Sequence, residues 1–275
     1  RGLRGGPGVA MSSSRSFGET FVSEAVGSHD ATIVMMHGLG DTGMGWQPVG
    51  AMMRVPGLKW LFPTAPTRPI TLNGGMPMPG WFDIKSLSVE ALMDMDQAGI
   101  KEAVDHVLGL VKAEVASGIP PNRIFLGGFS QGGHVAIKAA LQTDLQLAGC
   151  ICLSTWCEPP SAIPGFDEER SRSLKLFIGH GDSDPVVPYL AGKMTHEAIK
   201  NVKGVDVRFV PYVNMGHSSC PQEMDDVKDF ISECLSAGAE KVTAEQIKAM
   251  KVSELKKLCR ERGVNTQGCL EKADL

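Results

Sequence analysis

The stretch Gly127-Gly128-Phe129-Ser130-Gln131-Gly132-Gly133 contains Gly-x-Ser-x-Gly, a pattern that seats a nucleophilic serine on a sharp turn between a strand and a helix. In a chain with 32 glycines so short a pattern arises easily by chance, and its context decides its meaning. Arg123-Ile124-Phe125-Leu126 before it reads as a short buried strand, and Val135 to Leu141 after it reads as a helix. So tight a turn strains the backbone of the serine. Side chains at positions 128 and 132 would collide where strand and helix close on each other, and glycine has none. The serine oxygen is then presented above the sheet, beside the positive end of the following helix, where an oxyanion is favoured.

Outward from this turn, apolar runs recur at Thr32–Met36, Lys59–Phe62, Ile124–Leu126, Cys150–Leu153, Leu174–Ile178 and Val205–Tyr212. Between them lie helical patterns. Ile100, Ala103, Val104, Val107, Leu108 and Val111 keep one apolar face, and Met224, Val227, Phe230, Ile231 and Leu235 do the same near the end. Strands alternating with helices predict an α/β fold, a mostly parallel central sheet with helices on both faces. Reactive groups then collect at the carboxyl ends of the strands. Residues 64–88, rich in Pro, Gly and Met, read as a long functional loop.

With 275 residues the chain has room for one large core and a small appendage. The expected division is 1–16 as a disordered amino-terminal segment, 17–238 as the main domain and 239–275 as a small helical segment. Arg1 to Val9 lack the apolar core of a secretory signal. Met11, followed by three serines, reads as the start of the natural protein. No apolar run reaches the length of a membrane span. The seven cysteines are odd in number and fit neither a disulfide framework nor a zinc site, which points to a reducing, cytoplasmic setting.

The net charge of −4 conceals an asymmetry. Residues 17–240 carry 16 Lys and Arg against 26 Asp and Glu, whereas residues 241–275 carry 8 against 5. Nucleic acid is therefore not expected as a charge-driven partner of the main domain.

A serine hydroxyl needs a histidine to take its proton and a carboxylate to orient that histidine. In this class of fold the chain order is Ser, acid, His. Of the histidines beyond the turn, His217 lies in Asn214-Met215-Gly216-His217-Ser218-Ser219, after the sixth strand and before the last helix, where the base belongs. His196 falls in a surface helix, and His180 ends the fifth strand as a turn-shaping group. Two aspartates compete for the acid in His180-Gly181-Asp182-Ser183-Asp184-Pro185. Asp184 precedes a proline, which holds its backbone extended. Asp182 suits a short Asx-type turn at the strand end. An oxyanion hole requires two backbone N–H donors. Gln131, next to the serine, supplies one. Leu39, in the glycine-rich His37-Gly38-Leu39-Gly40-Asp41-Thr42-Gly43 after the first strand, supplies the other. His37 reads as a loop-fixing group. Leu72, Met76, Met78, Trp81 and Phe82 offer a flexible apolar surface for a fatty chain.

Five segments together carry a resemblance. They are His37–Gly43, Met78-Pro79-Gly80-Trp81-Phe82-Asp83, Gly127–Gly133, His180–Pro185 and Gly216-His217-Ser218-Ser219-Cys220. Residues 31–235 resemble the acyl-protein thioesterase and lysophospholipase-like carboxylesterase family of α/β-hydrolases. The resemblance implies Ser130, Asp184 and His217 as the triad, thereby choosing between the aspartates, and Leu39 and Gln131 as oxyanion donors. It implies hydrolysis of thioesters on palmitoylated proteins and of lysophospholipid or simple carboxyl esters, with no cofactor and with transient contact at a membrane surface. Members commonly carry serine where this chain has Gly80, and glycine there is expected to loosen the loop. The competing functions are a general carboxylesterase for short soluble esters, and an adaptor whose SAP-like tail binds nucleic acid or protein.

In the tail, Thr243-Ala244-Glu245-Gln246 reads as a capping box. Val252, Leu255, Leu258 and Cys259 line one helical face, and Gly263 is a stop. Residues 247–275 resemble a SAP-like helix–loop–helix, in the variant found at the carboxyl terminus of the mesencephalic astrocyte-derived neurotrophic factor family. Thr266 stands where that family has the first cysteine of Cys-x-x-Cys, so a dithiol role is not expected of Cys269. The sequence reads as truncated at Leu275, inside the second helix.

Overall fold

The computed structural model describes residues 16–88, 95–237 and 244–261. A seven-stranded sheet organises them. Its strands are β1 (Thr20–Ser23), β2 (Val26–Met36), β3 (Pro56–Pro63), β6 (Ile124–Phe129), β7 (Gly149–Leu153), β8 (Lys175–Gly181) and β9 (Asp206–Tyr212). They lie in the order β1-β3-β2-β6-β7-β8-β9. Only the edge strand β1 runs antiparallel to its neighbour β3; the other pairs are parallel. The remaining strands, β4 (Thr67–Ile70) and β5 (Met76–Pro79), form a separate antiparallel hairpin.

Helices α1 (Gly43–Met53), α2 (Gln97–Ala116), α3 (Gln131–Gln142), α4 (Tyr189–Ile199) and α5 (Pro221–Ser236) cover the large sheet. Because successive strand residues point to opposite faces, each central strand feeds two cores. Val34 and Met36 of β2, Cys150 and Cys152 of β7, and Leu176 and Ile178 of β8 pack with α2, α3 and α4. Ile33 and Met35, Ile151 and Leu153, and Phe177 pack with α1 and α5. This explains why the strands read as unbroken apolar runs rather than alternating ones. Helix α2 begins where the Asp96 side chain accepts from Gly99 N–H, and it buries Ile100, Ala103, Val104, Val107 and Val111.

Three elements were not evident from periodicity. Strand β1 is only four residues long. Helix α1 holds Pro48 and three glycines, which mask a helical signal. The third is the hairpin, which replaces the expected long loop over 64–88. Its register pairs Thr67 with Pro79 and Pro69 with Pro77. Proline gives no N–H to a ladder, so such a segment reads as non-strand. What holds the hairpin is side-chain anchorage. Arg68 and Ile70 point inward and are buried, and the Arg68 guanidinium donates to Asp96 and to Glu102 of α2. Asp83 accepts from the Thr71 backbone N–H and hydroxyl.

In the tail, α6 (Ala244–Ala249) and α7 (Val252–Glu261) are described. Leu255 and Cys259 of α7 are buried. Leu258 borders a groove of about 930 Å3, with Leu147, Leu174 and Leu235, at the amino ends of the strands. Thr243, Gly263, Thr266 and Cys269 lie outside the described residues. No helix among the described residues is long and apolar enough to cross a membrane.

Candidate active site

Ser130 stands between the end of β6 and the start of α3 with φ 53° and ψ −120°, a conformation costly for a side-chain-bearing residue. Packing over-determines it. Its N–H donates to Leu153 O, and its carbonyl accepts from His134 N–H and from the Thr155 hydroxyl. The two glycines of the motif are required by space. A Cβ at Gly128 would lie 2.2 Å from the carbonyl carbon of Gly132, and one at Gly132 would lie 2.4 Å from Met36 O.

The Ser130 hydroxyl donates to His217 Nε2 at 3.0 Å. His217 Nδ1–H donates to Asp184 Oδ2 at 2.8 Å. The three side chains come from the ends of β6 and β8 and from the loop between β9 and α5. The Phe129 ring packs against the His217 imidazole at 4.7 Å, and Trp46 of α1 backs Phe129 at 5.4 Å. Trp46 thus belongs to the support beneath the histidine.

Between the two aspartates the geometry discriminates. Asp182 Oδ1 accepts from Asn214 N–H and the Ser183 hydroxyl, bracing the loop that carries His217. Asp184 Oδ1 accepts from the Val186 and Val187 amides, leaving Oδ2 for His217. Burial alone would push the Asp184 carboxyl up. The donors around it, His180 and His217 first, then Val186 N–H, outweigh this and hold it well below the usual carboxylate range. His180 is fully buried and reaches this carboxylate, a contact that its position at a strand end did not signal.

The loop after β2 lies against the serine: a Cβ at Gly38 would be 3.5 Å from Ser130 Cβ. Gly40 N–H is taken by Pro79 O and Asp41 N–H by Gly38 O. Gln131 opens α3, so its amide has no acceptor within the helix. His37 fixes the loop, as expected. Its Nδ1–H donates to Gly38 O and its Nε2 accepts from Ala65 N–H.

Gln131 has a second role that the motif did not reveal. Its side-chain oxygen accepts from Trp81 N–H at 2.8 Å, and its amide nitrogen donates to Phe82 O at 2.7 Å. Trp81 and Phe82 are fully buried. The Trp81 indole donates to His37 O, and Phe82 packs edge-on to His134 and Trp156. The five expected acyl contacts therefore do not form one surface. Trp81 and Phe82 anchor the segment in the core, because a buried indole N–H needs an acceptor and finds one there. Leu72 and Met76 are exposed, and Met78 lies half-buried with its sulfur against Gly40. Gly80 does not loosen the segment either. A Cβ there would lie 3.0 Å from both Leu39 and Ile70, so its lack of a side chain permits close packing.

Two further clusters of titratable groups are buried. One joins His134, Cys157 and Glu158, whose ligand atoms lie within 4.8 Å of one another. It suits a metal poorly. The Lys138 ammonium already sits on Glu158, and burial pushes the Cys157 thiol up, away from the thiolate a metal prefers. The other is Glu223, on the first turn of α5, whose carboxylate oxygens have no hydrogen-bond partner among the described residues. Burial, helped by the nearby Asp226 charge, pushes it up to about 8.

Residues 18–235 match the phospholipase/carboxylesterase family, and residues 246–275 match the SAP domain. Acyl-protein thioesterase 1 of Cryptococcus neoformans is 42% identical over 223 residues, covering 76% of this chain and 94% of that protein. Acyl-protein thioesterase 1 of Neurospora crassa is 41% identical over 228 residues, 79% of this chain and 92% of its own. The crystal structure of Zea mays acyl-protein thioesterase 2 aligns with a TM-score of 0.71 at 32% identity, over 79% of this chain and 99% of that one. With an α/β-hydrolase sheet, a match spanning nearly all of it and relatives of this similarity, the chain belongs to the phospholipase/carboxylesterase family.

Proposed function

We propose that this chain hydrolyses acyl thioesters on S-acylated proteins, and related lysophospholipid and carboxyl esters, through a covalent acyl-enzyme. The observation that carries the reading is the unbroken line Ser130 Oγ–H to His217 Nε2, and His217 Nδ1–H to Asp184. In this reading Ser130 Oγ attacks the acyl carbon while its proton passes to His217. Asp184 stays ionised and stabilises the imidazolium. The oxyanion is received by the Gln131 and Leu39 amides, each contributing roughly 3–4 kcal/mol in the transition state. Collapse breaks the carbon–sulfur or carbon–oxygen bond, and the leaving thiol or alcohol takes the proton from His217. Water then attacks the acyl-serine, giving its proton to His217, and the fatty acid departs as Ser130 is restored.

Exposed Leu72 and Met76, with Met78 beside the Gly40 loop, are proposed as the apolar surface that meets the acyl chain, Trp81 and Phe82 holding it in place. The proposed division of the chain into a hydrolase domain over 17–238 and a SAP-like segment over 239–275 is supported by where the two family matches fall. All six cysteines among the described residues are free thiols, which supports a reducing, cytoplasmic setting. A fluorophosphonate probe tests the reading: it should label Ser130 alone, and Ser130→Ala should lose both labelling and thioester cleavage. Thioester cleavage by Ser130→Ala at the parent rate would rule the reading out.

A further inference from the structure

We propose that His180 is a positioning residue for Asp184, steering the carboxylate that orients His217; the inference rests on the triad reading above. His180 is the penultimate residue of β8 and its ring is fully buried. Its Nε2 lies 3.0 Å from Val187 O. A carbonyl oxygen only accepts, so Nε2 carries the ring proton. The same nitrogen lies 3.5 Å from Asp184 Oδ2, the oxygen that accepts from His217 Nδ1 at 2.8 Å. The one N–H is thus shared between a carbonyl and the triad carboxylate, close enough to the carboxylate to act on it electrostatically.

The consequence is directional. A carboxylate on a side chain turns through a broad, roughly two-fold torsion. Here Oδ1 is held by two backbone amides. Oδ2 lies 2.8 Å from His217 Nδ1 and 3.5 Å from His180 Nε2. The carboxylate is confined to the plane that aims His217 Nε2 at Ser130.

The other half of the ring argues against simple filling. His180 Nδ1 has no hydrogen-bond partner among the described residues. It faces Gly192 of α4, where a Cβ would come within 2.4 Å. The Tyr189 ring stands edge-on at 6.0 Å. Asp184 on the loop and Tyr189 on α4 are the titratable groups that face it, with His217 beyond the carboxylate. A buried acceptor without a donor is unfavourable. An apolar ring would fill the space without that penalty, so the useful part of this imidazole is its Nε2–H.

The test compares His180→Leu, which removes the donor, with His180→Gln, which keeps an N–H. Hydrolysis of an acyl thioester is measured across pH, and active sites are counted with a fluorophosphonate. His180→Leu should lower kcat per labelled site about 10–100-fold, the range that outer partners of working side chains carry at metal sites, with KM little changed. The acid limb of its kcat/KM profile should move to higher pH, because a carboxylate relieved of one donor holds the His217 proton more tightly. His180→Gln should recover most of the rate. Parent kcat per labelled site in His180→Leu, or a glutamine variant no better than leucine, overturns the proposal. Should the leucine variant fail to fold, imidazole nitrogen NMR on the parent protein decides. An Nε2–H tautomer at His180 supports the proposal, and an Nδ1–H tautomer overturns it. Absence of labelling in the parent would strike the triad reading instead.

Discussion

The turn at 127–133 and the segment that carries the hairpin of β4 and β5 meet through the Gln131 side chain, and they are held by different means. The turn is locked by backbone against backbone. Gly128 and Gly132 have no room for a single carbon, and the strained Ser130 is pinned through both its N–H and its carbonyl. The hairpin is held by side chains reaching inward. Arg68, Asp83, Trp81 and the amide of Gln131 do what a longer ladder would otherwise do. Locking by backbone leaves a strong signature in sequence, because few residue types satisfy it. Anchorage by side chains leaves almost none, because many combinations of residues would serve.

The contrast can be broken or sharpened in graded steps. Ser130→Ala has the largest effect: thioester hydrolysis should fall by roughly 10^4-fold or more, with the melting temperature nearly unchanged, in a steady-state assay beside a thermal scan. Gly132→Ala comes next. Its methyl would meet Met36 O and His37 O, so about 3 kcal/mol or more of stability should be lost in urea unfolding. A tolerated alanine would show that the turn is looser than its contacts imply.

Glu223, on the first turn of α5 after the His217 loop, is a control in which a polar group is buried without a hydrogen-bond partner among the described residues. Its carboxyl is raised to about 8 in the fold against about 4.3 in an unfolded chain. The folded state therefore binds the proton over this interval while the unfolded state has lost it, and stability falls as pH rises between the two values. Glu223→Gln should flatten that slope and stabilise the protein near pH 8 by on the order of 2–3 kcal/mol, as read by urea unfolding at pH 5 and pH 8. An unchanged slope would mean the charge finds a partner in solution.

Gln131→Ala joins the two regions. It strips a partner from Trp81 N–H and from Phe82 O, and should cost about 1–3 kcal/mol. The Gln131 main-chain donor is kept, so kcat on a short-chain ester should change much less than the selectivity for a long acyl chain. The smallest effect belongs to the hairpin tip. Met76→Ser, at an exposed residue, should move stability by no more than about 0.5 kcal/mol while raising KM several-fold for a palmitoyl thioester. An unchanged KM would remove the tip from the acyl contacts.

Ser130, His217, the first glycine-rich loop and the six parallel strands could be named before any coordinates through local rules; Asp184 met such a rule too, but its choice over Asp182 came with the family resemblance. A nucleophile on a tight turn demands small neighbours, an acid before proline demands an extended backbone, and a strand covered on both faces demands an apolar run. The hairpin, the burial of Trp81 and Phe82, the close packing at Gly80 and the reach of His180 to Asp184 had no such local mark. Each depends on which distant groups the fold brings alongside: α2 carboxylates beside Arg68, the His37 carbonyl above the Trp81 indole, Leu39 against Gly80, and the turn of α4 over His180. Backbone conformation is restricted residue by residue, and so can be read along the chain. Side-chain partnership depends on three-dimensional proximity, and appears only once the sheet has been assembled.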